Sequence, residues 1–144
     1  MKRIIAAIIL LAFGSVAVSA DSDAIAQRRD LMKANGNAVK PVVDMLKGAP
    51  FDLVVVQTAL KTFMNAAEKM PKLFPDDSKT GGGTHALPAI WENKADFEAR
   101  FAKLGTDSAA ALKSIKDEAS FKAHIKSVFD NCGACHEHYR AKEE

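Results

Sequence analysis

One apolar stripe runs along the last helical segment and passes unbroken into two cysteines and a histidine. An α-helix turns about 100° per residue, so Phe121, Ile125, Val128, Cys132, Cys135, His136 and Tyr139 share an arc of roughly 100°. The face that buries this helix is therefore also the face that carries Cys132, Cys135 and His136. A chain with such a helix must build its interior around whatever those three side chains hold.

The two cysteines are the only ones in the chain and stand three residues apart. A disulfide this local closes too small a loop to restrain much unfolded-chain entropy. A zinc site built from cysteines lacks the other two thiolates. A thioredoxin-like dithiol wants a βαβ context, and nothing here alternates like a strand. Cys132-Gly133-Ala134-Cys135-His136 instead has the spacing for covalent haem c. Cysteines at i and i+3 stand on one helix face, where each can form a thioether to a haem vinyl group. The histidine at i+4 then reaches the iron axially.

The N-terminus fits that chemistry. Lys2 and Arg3 precede an apolar run from Ile4 to Phe13, and Val18-Ser19-Ala20 is a small-residue cleavage signature. This is the layout of a secretory signal peptide, too short in its apolar part to span a bilayer. The expected division is a cleaved leader, 1–20, and one domain, 21–144, with no membrane span. The full chain carries 20 Lys plus Arg against 18 Asp plus Glu. Its slight basicity comes from Lys2 and Arg3 in the leader, so charge supplies no case for nucleic-acid binding.

The rest reads as four amphipathic helices. In the first, Ile25, Met32, Gly36, Val39, Val43 and Leu46 recur at helical spacing, with Pro41 expected to kink or break it. Gly48-Ala49-Pro50 ends this helix and Asp52 is placed to cap the second, whose face is Val56, Leu60, Phe63, Ala67 and Met70. Pro71 and Pro75 stop the second, and a loop centred on Gly81-Gly82-Gly83 leads to a third that starts near Pro88. Asp117 caps the fourth. Short connections on either side of one longer loop predict an all-α, antiparallel up-down-up-down four-helix bundle enclosing one covalently bound haem.

On these residues the chain resembles the class II c-type cytochromes, the cytochrome c prime family with its low-spin six-coordinate relatives. The resemblance lies in Ala26-Gln27-Arg28-Arg29 with Leu31-Met32-Lys33, in Met45-Leu46-Lys47-Gly48, in Leu73-Phe74-Pro75 and in Leu87-Pro88-Ala89-Ile90-Trp91. It is most specific in Cys135-His136-Glu137-His138-Tyr139-Arg140. The resemblance implies a periplasmic haem protein, often a homodimer through its first two helices. It implies that Met32 faces the distal side of the haem, either as the sixth ligand through its sulfur or as core filling; the sequence leaves both open. It suggests that Arg28 lines the haem edge and meets a propionate, whereas Arg29 reads as a solvated charge. Arg140, one turn beyond His136, is placed to lie over the imidazole or a propionate. Trp91 and Tyr139 are candidates to pack on the porphyrin, Trp91 equally as a core anchor.

His138 points away from His136, His124 lies at the edge of the stripe and His85 occupies the glycine-rich loop, so all three read as surface residues. No Ser-His-Asp pattern, paired carboxylates or phosphate loop argues for an enzyme. Two functions compete: an electron carrier serving periplasmic redox partners, and a five-coordinate protein that binds small gas ligands such as nitric oxide or carbon monoxide.

Overall fold

A computed structural model of the protein describes residues 20–142. The expected leader lies outside the described residues except for Ala20, with which the first helix begins. That helix, α1 (Ala20–Leu46), buries Ile25, Val42 and Met45. The expected break at Pro41 does not occur, since α1 runs on to Leu46. Burial of Val42 and Met45 holds the last turns helical and offsets the one hydrogen bond that Pro41 cannot donate. The helix stops at Gly48, whose φ of 108° suits glycine, with its N–H donated to Met45 O at 3.2 Å.

Asp52 starts α2 (Leu53–Lys69), its carboxylate accepting from Val54 N at 2.8 Å and Val55 N at 3.1 Å. Val56, Ala59, Leu60, Phe63 and Ala66 face the core. Beyond Lys69 the chain tightens into a 3-10 turn, Met70–Leu73, where Pro71 no longer needs a helical N–H partner. A second such turn, Asp76–Ser78, leads into Gly81, Gly82 and Gly83, all with positive φ. This loop rests on α1: a Cβ on Gly82 would come within 2.9 Å of Ile25 Cγ2.

The third predicted helix is two helices, α3 (Ala89–Glu92) and α4 (Lys94–Ser114). Asn93 between them leaves helical geometry, at φ −126° and ψ 46°, as asparagine readily does. Finally α5 (Glu118–Tyr139) opens on a capping box, with Asp117 and Ser120 satisfying each other's backbone N–H groups.

The four long helices α1, α2, α4 and α5 form the bundle. Among the described residues there is no strand, only an isolated bridge between Ala86 and Arg140. In the packing, α2 lies against α1 and α4, and α4 against α5. The remaining side of the bundle, between α1 and α5, is held apart by a cavity.

Candidate cofactor site

The cavity has a volume of about 420 Å³, within the usual range of small-molecule sites. Its α1 wall is Arg28, Arg29, Met32, Asn35, Gly36 and Val39, one face of the helix. Opposite stand Cys135, His136 and Tyr139 of α5, with Arg140 just past its end. Met70, Phe74, Ile90, Phe97 and Phe101 close the apolar floor, and Thr84, His85 and Ala86 come from the loop. Cys132 opens instead onto a hollow of about 30 Å³, shared with Met32, Arg100, Cys135 and His136. Met32 thus borders both spaces.

The α5 register is the expected one. Phe121, Ile125, Val128 and Tyr139 are buried, while Cys135 and His136 are half-buried at the cavity and Cys132 is half-buried beside the smaller hollow. Both thiols are free, and burial raises their pKa values, that of Cys135 to about 11. Burial, aided by the charge of Arg140, lowers the pKa of His136. A neutral imidazole keeps a lone pair for a metal. Among the described residues no three His, Cys, Asp or Glu side chains cluster to hold a metal by themselves. One imidazole beside two thiols suits a group that brings its own metal.

The arginines divide the work differently from expectation. Arg28 is buried, at 4% exposure. Its four terminal N–H groups go to protein acceptors: Leu73 O (3.1 Å) and Ser78 Oγ (2.9 Å), then Ser78 O (2.8 Å) and Thr84 Oγ1 (2.6 Å). The guanidinium also stacks 4.7 Å from the Phe74 ring centre. Arg28 is therefore first an anchor for the loop, with only Nε–H uncommitted. Arg29 is not merely solvated, for it donates to Gly82 O at 2.8 Å and lines the cavity. Arg140 is exposed at the same edge.

Trp91 does not line the cavity. It sits one layer behind Phe74, edge-on at 5.8 Å, with Nε1 donating to Phe74 O and Pro75 O. Tyr139 does line it, its ring edge-on to Phe97 and its hydroxyl donating to Asp96 Oδ2 at 2.5 Å. Of the remaining histidines, His85 borders the cavity, and all three are exposed. Sequence reasoning did not single out Asn35 or Arg100 as site residues; Asn35 had a signal, being one turn from Met32.

These walls fit a haem. They are mostly apolar; Cys135 and His136 share one of them, and Cys132 lies in the adjoining hollow. The α1 wall leaves space, because a Cβ on Gly36 would meet nothing within 4 Å. Asn35 Oδ1 is buried without a hydrogen-bond partner, as a polar group facing a bound molecule would be.

Residues 23–140 match the family described as cytochrome C'. The chain belongs to the cytochrome c' family. It is 51% identical to a cytochrome c' of Rhodopseudomonas palustris over 93% of this chain and 92% of that protein. A cytochrome c-556 of Agrobacterium fabrum is 37% identical over 99% of this chain and 97% of its own. A solved cytochrome c' from Rhodopseudomonas palustris superposes with a TM-score of 0.83 at 53% identity, covering 85% of this chain and 98% of that one. Proteins of this family carry covalently bound haem c, which is the cofactor of this bundle. No described helix is long and apolar enough to cross a membrane.

Proposed function

We propose that the protein is an exported monohaem electron carrier of the periplasm, in which Cys132 and Cys135 would hold the haem covalently and His136 would bind its iron. Bound there, the haem supplies a one-electron ferric–ferrous couple. The chain's part is to hold, orient and shield. His136 offers a neutral imidazole from a helix that the capping box and the Ala86–Arg140 bridge fix at its two ends. Met70, Phe74, Phe97 and Phe101 keep water from one side of the cavity. Arg29 and Arg140 stand at the edge, where a guanidinium can pair with the haem's carboxylates; Arg28 can add only Nε–H.

Met32 carries the choice of electron transfer. It borders both the main cavity and the hollow shared by Cys132, Cys135 and His136, which supports a thioether as sixth ligand. A filled sixth position favours electron exchange over ligand binding. The observation behind the second reading, gas binding, is the room beside Gly36 and the unpartnered Asn35 Oδ1 on the same wall. An optical spectrum of native protein and Met32→Ala separates them. With sulfur ligation the native ferric protein is low-spin, shows a weak near-infrared sulfur-to-iron band and binds carbon monoxide slowly. Met32→Ala then turns it high-spin, lowers its potential and speeds carbon monoxide binding. A high-spin native spectrum that the substitution leaves unchanged moves the assignment to gas binding.

The partners would be redox proteins of the periplasm. Self-association through α1 and α2 is part of the same reading, supported by Leu46 and Val54, exposed at 42% and 70% near the α1–α2 corner. Sedimentation of the holoprotein gives a dimer if this holds and a monomer if it does not.

A further inference from the structure

Arg100 of α4 lies outside the main cavity, yet its side chain reaches the turn of α5 that carries the cysteines. Its Nη1 donates to Ala134 O at 2.8 Å, the carbonyl just before Cys135, and its Nε donates to Asp96 Oδ2 at 2.7 Å. Tyr139 O–H donates to the same Asp96 oxygen at 2.5 Å. The guanidinium carbon lies 5.5 Å from the centre of the Tyr139 ring, so the fork is held against a flat face as well. Together these contacts tie α5 to α4 at Ala134 and at Tyr139, and those two points bracket Cys135 and His136.

We propose that Arg100, Asp96 and Tyr139 form a positioning unit that locks the rotation of α5 at the attachment turn and thereby sets the pose of His136. The inference rests on attachment at Cys132 and Cys135. Apolar packing between α4 and α5 is non-directional and tolerates small rotations about the helix axis. Hydrogen bonds to a backbone carbonyl and a phenol are directional and do not. The other side of α5 is already fixed through its backbone, with Leu87 N donating to Tyr139 O at 3.0 Å and Ala141 N to His85 O at 2.8 Å. The Asp96–Arg100 pair is partly exposed, at 53% and 28%, so its contribution to global stability is small. Its effect belongs to the geometry of the turn.

The test uses purified holoprotein of the wild type, Arg100→Gln, Arg100→Lys and Tyr139→Phe. Acid-acetone extraction, Soret circular dichroism, midpoint potential and thermal midpoint are measured on each. Haem should stay covalently bound in all four, with thermal midpoints nearly unchanged. Both Arg100 variants should alter the Soret dichroism and shift the ferric–ferrous equilibrium several-fold, because lysine keeps the charge but loses the two-pronged geometry. Tyr139→Phe should move the same signals by less. If Arg100→Lys restores the wild-type signals, charge and not geometry matters, and the proposal is overturned. Retained haem with unchanged signals in all variants overturns it alone. Haem that extracts from the wild type overturns the attachment reading and this inference with it.

Discussion

Cys132 and Cys135 have thiol pKa values raised by burial, so both stay protonated at neutral pH in the unattached chain. If they are the attachment points, Cys132→Ala with Cys135→Ala yields haem that acid-acetone removes, while wild-type protein keeps it. His136→Ala leaves attachment possible and changes the spectrum outright. Arg28 makes a different prediction. Its guanidinium satisfies Ser78, Thr84 and Leu73 inside the fold. Arg28→Ala leaves those acceptors without their donors and should cost about 3 kcal/mol in thermal or chemical unfolding. Limited proteolysis should then cut first between residues 73 and 84. The sequence marked Arg28 as important through a resemblance, but its acceptors lie 45 to 56 residues away in the chain. No local pattern reports such distant partners.

At the scale of elements, caps were legible and interruptions were not. Asp52 and Asp117 are short acidic residues before apolar runs, and both cap as expected. Asp52→Ala should lower stability by about 1 kcal/mol, read as a shift in the denaturant midpoint. The pKa of Asp117 is lowered, first by the Ser120 hydroxyl and then by the backbone N–H groups it accepts. A folded pKa below the unfolded value, about 3.9, means that this stabilisation is present above about pH 4. It is lost as pH falls through the lowered folded value. Asp117→Asn keeps a capping oxygen that does not titrate. The wild-type advantage in thermal midpoint over this variant should therefore be constant above about pH 5 and shrink toward zero in acid. Pro41 and Asn93 went the other way. A proline that propensity reads as a breaker is overruled by burial of Val42 and Met45, while Asn93 divides a helix that periodicity reads as continuous.

For the molecule as a whole, the cavity is the weak side of the bundle. Three sides are closed by direct helix packing, and α1 and α5 are joined mainly through what lies between them. A covalently bound haem stays with the unfolded chain, but only the folded chain buries its apolar faces, so the apoprotein should melt well below the holoprotein. Far-UV circular dichroism of both forms measures this. Equal midpoints would mean that the three packed sides alone hold the bundle and that the cofactor is peripheral to the core.

What the sequence determined by itself is whatever depends on spacing along one helix. The α5 stripe, the shared face of Cys132, Cys135 and His136, the N-caps and the four long amphipathic segments are all of this kind, because side chains three and four residues apart share a face wherever the helix is placed. The Cys-x-x-Cys-His spacing pointed to haem c before any fold was known. Only the tertiary structure decided what meets across the bundle. It brought Met32 to the hollow beside the cysteines, turned Arg28 into a loop anchor, moved Arg29 to the cavity edge and set Trp91 behind Phe74. It also joined Arg100 to Ala134, which is 34 residues away. Those contacts follow from helix rotation and packing order, which are set by the summed burial of all four helices, so no short stretch of sequence encodes them.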